Sequence, residues 1–261
     1  MAEKIRLDVY LVQHKFAETR NRAQQLVRGG YVTVDGHTIL KTGELVERKS
    51  KIVVNNILKY VSRGGNKLEY ALDSFQIDVK DKRTADVGAS TGGFTDCLLQ
   101  KGAKRVFAID MGKGQLHQKL RKNPRVIYID GTDIRYLSKL PNNTKLDFIA
   151  IDISKHSLES IIFAVKNLLN ENGDMVALIK PQFELQRHIV SDKDSRKRAL
   201  YKVAECIKKY DMYVVGLVHS PLKGGLKNQG NIEYLMHIAQ RPKNFDVYRT
   251  IERLIAKEQN L

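Results

Sequence analysis

Residues 86–94 read Asp86-Val87-Gly88-Ala89-Ser90-Thr91-Gly92-Gly93-Phe94. Glycine has no Cβ and adopts positive φ freely, so a stretch this poor in side chains lets a ligand lie against the backbone. A short apolar-ended run, Thr84-Ala85-Asp86-Val87, precedes it and reads as a strand; Thr95 to Gln100 reads as a helix. Strand, glycine loop and helix start together form a cradle for a nucleotide-like cofactor in an α/β fold. The next apolar run, Arg105 to Ile109, ends in Asp110. An acid about 20 residues past such a loop suits a ribose diol.

The glycine spacing narrows the cofactor. The loop of nucleoside triphosphatases ends in Gly-Lys-Ser/Thr, whereas Gly93 is followed by Phe94. The dinucleotide fingerprint needs Gly-x-Gly-x-x-Gly, and glycines at 88, 92 and 93 match it poorly. No lysine or arginine lies between Asp86 and Lys101 to meet a pyrophosphate. An acid opening the loop and no base within it suit a cationic cofactor, and S-adenosylmethionine, with its sulfonium and ammonium, is one. A plain structural turn between strand and helix is the alternative that the loop alone leaves open.

Outward from the loop, apolar runs alternate with helical periods. Strands are expected at Thr84–Val87, Arg105–Ile109, Val126–Ile129, Phe148–Ile151, Asp174–Ile179 and Tyr213–Val218, with helices such as Leu158–Leu169 and Arg196–Lys209 between them. That order predicts an α/β domain with a buried parallel sheet covered on both faces. Ligands in such sheets bind at the carboxyl ends of the strands. Two residues there stand out. Asp152 follows Phe148-Ile149-Ala150-Ile151, and Lys180 follows Val176-Ala177-Leu178-Ile179. Lys67 lies near the start of a helix marked by Leu68, Ala71, Leu72 and Phe75, where the helix dipole disfavours a cation. Lys67 beside Lys180, together with partial burial, would lower the Lys180 pKa and make it a candidate base. Glu233 adds an acid near the last strand. On spacing alone, these residues fit two structural ion pairs as well as they fit a catalytic set.

Composition bounds the partner. The 261 residues allow two domains, and the net charge of +16 favours a polyanion: RNA, DNA or an anionic membrane. Cys97 and Cys206 stand apart without paired spacing, and the seven histidines show no ligand spacing, so neither a disulfide framework nor a metal site is expected. No apolar run approaches the ~18 residues of a membrane span, and Met1 to Arg6 lacks the apolar core of a signal peptide. A cytoplasmic protein without stable membrane association is the expectation.

The first 60 residues read as a separate module. Leu7, Val9, Tyr10 and Leu11 sketch a helix; Thr19 caps a second, whose Ala23, Leu26 and Val27 share one face. Tyr31-Val32-Thr33-Val34 then alternates as a strand, Asp35-Gly36 makes a hairpin turn, and a strand from Lys51 to Val54 closes the unit. Arg6-Leu7-Asp8, Thr19-Arg20, Ala23, the Gly30–Gly36 hairpin and Lys41-x-Gly43 resemble the S4-type RNA-binding domain, a small α+β unit. The resemblance implies an RNA face made of Arg6, Arg20, Arg22, Arg28 and Lys41.

Nearly the whole chain resembles the TlyA family, often labelled hemolysin, whose second domain is similar to the FtsJ-type ribose methyltransferases. The resemblance rests on Ser62-Arg63-Gly64-Gly65-x-Lys67-Leu68, on the run from Asp86 to Leu98, on Lys180-Pro181-Gln182-Phe183-Glu184 and on Gly230-Asn231-Ile232-Glu233-Tyr234-Leu235. It implies a Rossmann-like class I methyltransferase domain over 68–261, joined through 61–67 to the RNA-binding domain over 1–60. It also implies S-adenosylmethionine-dependent methylation of ribose 2′-oxygens in ribosomal RNA or ribosomal subunits. The family's Lys-Asp-Lys-Glu tetrad falls on Lys67, Asp152, Lys180 and Glu233, with Lys180 as base, Asp152 orienting it, and Lys67 and Glu233 holding the ribose. The cofactor residues fall on Gly88, Ala89, Ser90, Thr91, Gly92, Gly93 and Phe94, of which Gly88, Ser90, Gly92 and Gly93 would wrap the methionine part, with Asp110 for the ribose and Asp133 for the adenine edge. The chain departs from the family at Lys155 and His156, where an aromatic and an apolar residue are usual, and at Lys113. An RNA-binding protein whose cofactor fold no longer catalyses is the competing expectation; a membrane-damaging toxin finds no support in the residues.

Overall fold

The computed structural model of the protein describes residues 4–54, 59–154, 156–224 and 230–258. The chain divides into two compact units, one of residues 1–59 with 224–230, the other of residues 60–223 with 231–261.

The small unit follows the local signals closely. Strand β1 (Lys4–Arg6) runs into helix α1 (Leu7–Gln13), followed by helix α2 (Arg20–Arg28). The Thr19 hydroxyl caps α2 by accepting the Arg22 N–H at 3.2 Å, so one otherwise orphaned donor of the first turn is satisfied. Strands β2 (Val32–Val34) and β3 (His37–Thr38) form the hairpin, with Asp35 at φ +50° and Gly36 at φ +84°. Two consecutive left-handed residues define the hairpin turn whose twist matches its strands. Strand β4 (Leu45–Glu47) pairs with β1, and β5 (Ile52–Val54) pairs with β2, all antiparallel. The β1–β4 ribbon was not expected. Its strands are three residues long and mostly exposed, so no apolar alternation announces them. Leu7, Leu11, Ala23, Leu26, Val27, Val32 and Val46 close the core of this unit.

In the larger unit, helix α3 (Gly64–Ser74) begins inside the segment read as a joint. The Val61 N–H donates to Asp96 Oδ2 at 2.9 Å, which ties that segment to this unit. Then come strand β6 (Arg83–Val87), helix α4 (Gly93–Gln100), strand β7 (Arg105–Ile109), helix α5 (Gln118–Arg121), strand β8 (Val126–Ile129), strand β9 (Leu146–Ile151), helix α6 (Ile162–Leu168) and strand β10 (Leu169–Ile179). Helices α7 (Pro181–Glu184) and α8 (Lys193–Lys209), strands β11 (Tyr213–His219) and β12 (Tyr234–Ala239), and helix α9 (Val247–Ala256) complete it.

Seven strands form one sheet in the order β11-β12-β10-β9-β6-β7-β8. Strands β6 to β10 run parallel, as their continuous apolar runs predict. Strand β12 corrects the expectation of a wholly parallel sheet: it lies antiparallel between β10 and β11. All six of its residues are buried, but Glu233 just ahead of it and His237 within it break the apolar run that would have marked it. Two apolar cores cover the two faces of this sheet, one including Phe107, Ile149, Met175 and Ile207, the other Leu68, Phe94, Leu98, Phe148 and Val176.

Candidate active site

Strand order and direction assemble the site. Asp152 follows β9 and Lys180 follows β10, so both leave the sheet at its carboxyl edge. Because β12 is antiparallel, its beginning lies at that same edge. Ile179 pairs with Tyr234, and one further step of the register sets Lys180 opposite Glu233. Three of the four tetrad residues thus stand at adjacent strand ends.

The structure brings the set together as two ion pairs. The Lys180 Nζ lies 2.6 Å from Asp152 Oδ1. This contact is a charge pair and not a directed hydrogen bond. Nζ directs a bond to Ser154 Oγ instead, at 3.1 Å, and the Phe183 ring lies 5.8 Å from it. Lys67, in the first turns of α3, donates through Nζ to Glu233 Oε2, both side chains being buried. The lysine placed against its helix dipole therefore has a buried carboxylate to answer it. Where the sequence suggested two amines repelling each other, each has its own carboxylate.

Glu184 braces the segments that follow Asp152 and Lys180. It is buried and accepts the Leu158 N–H at 3.0 Å, which ties the segment after Asp152 to the short helix after Lys180. Burial pushes its carboxyl up to about 7, against the pull of that N–H.

A cleft of about 430 Å³ opens at the same edge, and its lining includes Gly88, Ser90, Asp110, Asp133 and Asp152. Among its described lining residues there is no lysine or arginine, in a chain with 45 of them. Asp110 organises the floor: Oδ2 accepts the Ser90 N–H at 2.7 Å and Oδ1 the Gly112 N–H at 2.6 Å. These bonds hold Ser90 at φ +48°, a conformation non-glycine residues seldom adopt. At Gly88 a side chain would force backbone to shift, because φ is +85° and a Cβ would fall 2.3 Å from the Asp152 carbonyl oxygen. Asp133 is gripped by the Arg135 guanidinium at 2.6–3.1 Å, which holds its carboxyl below the usual range. The sequence reading missed Arg135, although an acid and an arginine two residues apart at a helix start are a visible signal. It also missed Gln115 and Thr132 in the lining.

The rest of the glycine loop plays another part. Ala89, Thr91, Gly92, Gly93 and Phe94 do not line the cleft. A Cβ at Gly92 would meet the Leu120 side chain at 2.3 Å, and one at Gly93 would meet Ser62 Oγ at 2.2 Å and the Gly65 backbone nitrogen at 3.0 Å. These residues make the turn and pack α4 against α3. Asp86 sits beneath it, wholly buried. Its Oδ2 accepts both the N–H and the hydroxyl of Thr95 at 2.7 Å, and its Oδ1 is buried with no donor. Burial first, then the neighbouring Asp152 and Asp110, push its carboxyl up to about 7 against the two Thr95 bonds. Of the departures from the family pattern, His156 lines the cleft, the Lys113 chain lies over Gly131, and Lys155 is outside the described residues.

In the small unit, Arg6 and Arg20 meet on buried Asp8. Arg22 reaches Gln25 Oε1 at 3.5 Å, and Arg28 and Lys41 are exposed. No helix among the described residues is long and apolar enough to cross a membrane.

Fold and cleft together define a class I methyltransferase domain, carried on a chain that begins with an S4-type module. Residues 60–237 match the family of FtsJ-like methyltransferases, and residues 5–52 match the S4 domain. The chain belongs to the TlyA branch of the FtsJ-like methyltransferase family. It is 40% identical to YqxC of Bacillus subtilis, described as an rRNA methyltransferase, over 91% of this chain and 86% of that one. It is 36% identical to the 16S/23S rRNA (cytidine-2′-O)-methyltransferase TlyA of Mycobacterium tuberculosis, over 90% of each. A solved structure from Streptococcus thermophilus, described as a hemolysin, superposes with a TM-score of 0.76 at 38% identity, covering 98% of this chain and 96% of that one.

Proposed function

We propose that this chain transfers a methyl group from S-adenosylmethionine to a ribose 2′-oxygen of ribosomal RNA, with chemistry in the larger unit and RNA held by residues 1–60. One observation carries the reading: the Lys180–Asp152 pair, 2.6 Å apart, stands at the rim of an acidic cleft. The names of the Bacillus and Mycobacterium relatives point to the same substrate. Ribosomal subunits as the partner and the cytoplasm as the compartment belong to the same proposal.

The cleft suits the cofactor. Asp110, Asp133 and Asp152 line it, no described cation does, and Asp86 holds an unpartnered oxygen beneath it. Arg135 and Lys180 answer Asp133 and Asp152, which leaves Asp110, bonded to backbone N–H groups, to accept from a ribose diol of the ligand. When bound, S-adenosylmethionine supplies a methyl group activated by its sulfonium. Gly88 and Ser90 would hold its methionine part, Asp110 its ribose and Asp133 its adenine edge; Ala89, Thr91, Gly92, Gly93 and Phe94 would contribute through the shape of the turn.

The chain's own residues handle the proton and the alignment. To act as base, Lys180 must first give up the proton that makes it the ion-pair partner of Asp152; its neutral Nζ then takes the proton of the 2′-hydroxyl as that oxygen becomes nucleophilic, so that the O–H bond breaks and an N–H bond forms. Asp152, already at Nζ, stabilises the ammonium that results. Lys67 and Glu233, fixed on each other, position the ribose so that the oxygen approaches in line, and such positioning supplies a large part of the acceleration. Removing a general base lowers rates about 100- to 10,000-fold. Lys180→Ala is therefore expected to lose methyl transfer to ribosomal RNA by that factor while retaining cofactor affinity, measured with labelled cofactor on free RNA and on both subunits. Equal silence of wild type and variant on every substrate form would leave an RNA-binding protein without catalysis.

A further inference from the structure

The small unit contains a buried acid on the face expected to hold a polyanion. Asp8 is fully buried at the start of α1 and receives four donors. Arg6 donates through Nε to Oδ1 at 3.1 Å and through Nη2 to Oδ2 at 3.0 Å. Arg20 donates through Nε and Gln24 through Nε2 to Oδ2, both at 3.0 Å. The donors on Asp8 hold its carboxyl far below the usual range against the effect of burial. The Asp8 N–H itself bonds to the Thr42 carbonyl at 3.2 Å, which brings the Lys41–Gly43 turn to the same place.

The two guanidiniums are anchored at one end and open at the other. Their side chains remain 45% and 56% exposed, and Arg6 Nη1 and both Nη atoms of Arg20 make no bond to Asp8. Gly43 completes the seat: a Cβ there would stand 2.8 Å from Arg6 Nη1 and 3.0 Å from Cζ, so the guanidinium lies flat against glycine backbone. Two arginines and one aspartate sum to a charge of +1, the match for one phosphodiester. Long basic side chains lose much rotamer freedom on binding, and fixing them beforehand removes that cost.

We infer that Asp8 is a positioning residue of the RNA face: it locks Arg6 and Arg20, over Gly43, into a preformed site for a single backbone phosphate of RNA. This rests on the RNA-holding role proposed above for residues 1–60. It makes a prediction of unusual sign. Field strength alone says that deleting an acid from a polyanion-binding face tightens binding. A positioning role says that it weakens binding.

The test is titration of purified ribosomal RNA with the full chain at several salt concentrations, comparing wild type, Arg20→Ala, Asp8→Asn and Gly43→Ala. Asp8→Asn is expected to bind about 5- to 10-fold more weakly near physiological salt, although its net charge rises by one. Its salt slope should fall by about 1, the loss of one phosphate contact. Gly43→Ala leaves charge unchanged and should move the same way, and Arg20→Ala should resemble both. A purely structural role for Asp8 would reduce the folded fraction, seen in thermal unfolding, without changing the salt slope of the folded protein. Asp8→Asn or Gly43→Ala with wild-type affinity and slope, alongside a weakened Arg20→Ala, would overturn the inference and leave the RNA-holding role intact. A wild type whose binding ignores salt would overturn both.

Discussion

Two buried aspartates, Asp8 in the small unit and Asp86 in the larger one, show how differently the same side chain is used. Asp8 has four donors on two oxygens and is held ionised. Asp86 has one donor residue, Thr95, on one oxygen, no partner on the other, and two carboxylates nearby; its carboxyl is pushed up to about 7. Burial alone disfavours charge in both places. The number and sign of partners decides the outcome. The saturated acid stays charged and fixes the two arginines around it, whereas the unsaturated one is driven toward its neutral form.

The largest expected effect comes from turning the saturated case into the unsaturated one. Lys67 and Glu233 form a buried pair in which each group answers the other. Removing one member leaves an uncompensated buried charge, at roughly 3–5 kcal/mol. Lys67→Met and Glu233→Gln should each destabilise the larger unit on that scale. The double variant should cost clearly less than the sum, because no charge is then stranded. Denaturant unfolding of the four proteins gives the coupling energy, and simple additivity would show that the pair is not one unit.

Acidity gives the next contrast, with opposite signs at the two aspartates. Asp86 has its folded pKa raised, so its contribution to stability is full below the unfolded value near 3.8 and is lost as pH rises through about 7. Asp86→Asn escapes that loss and should be more stable than wild type at pH 8, by about 4 kcal/mol at most, with the gain vanishing below pH 4. Asp8 has its folded pKa lowered, so its contribution is full above the unfolded value and is lost only as pH falls through the much lower folded value. Asp8→Asn should therefore be destabilised at pH 5.5 and 8 alike, and the gap to wild type should only begin to narrow at pH 3.5. Thermal unfolding at pH 3.5, 5.5 and 8 separates the two, and matching pH trends would break the comparison. Glu184 shifts upward like Asp86 but is unchanged in all three proteins, so it cancels.

The same contrast explains what the sequence disclosed. Contacts close in sequence were legible: the Thr19 cap, the Asp35-Gly36 turn and the strand–loop–helix from Thr84 to Gln100 all form as read. The parallel strands were legible because burial on both faces writes continuous apolar runs. Partners distant in sequence were not. Lys67 and Glu233 are 166 residues apart, and spacing alone could not choose between structural pairs and a converging set. Strand β12 stayed hidden because Glu233 and His237 interrupt it. Asp8 was visible only as one letter of a motif, since nothing local says that four donor groups from three residues will converge on it. Asp133 was read as a ligand contact without the Arg135 that grips it.

The smallest effect separates two glycines with nearly the same backbone angle. Gly36 stands at φ +84° and Gly88 at φ +85°, yet a Cβ at Gly36 would meet nothing within 4 Å, whereas one at Gly88 would lie 2.3 Å from backbone. At Gly36 only the left-handed conformation is at stake, so Gly36→Ala should cost about 1 kcal/mol. Asparagine tolerates that conformation, so Gly36→Asn should recover most of the loss. At Gly88 asparagine relieves the angle but keeps the Cβ, and the contact is with the Asp152 carbonyl, which cannot move without shifting the residue paired with Lys180. Gly88→Asn should thus be no better than Gly88→Ala in either stability or cofactor affinity. Rescue by asparagine at Gly36 and not at Gly88, read by thermal unfolding of the four variants, distinguishes a turn set by local backbone preference from one set by the cleft around it; rescue at both would mean that the loop has room to give.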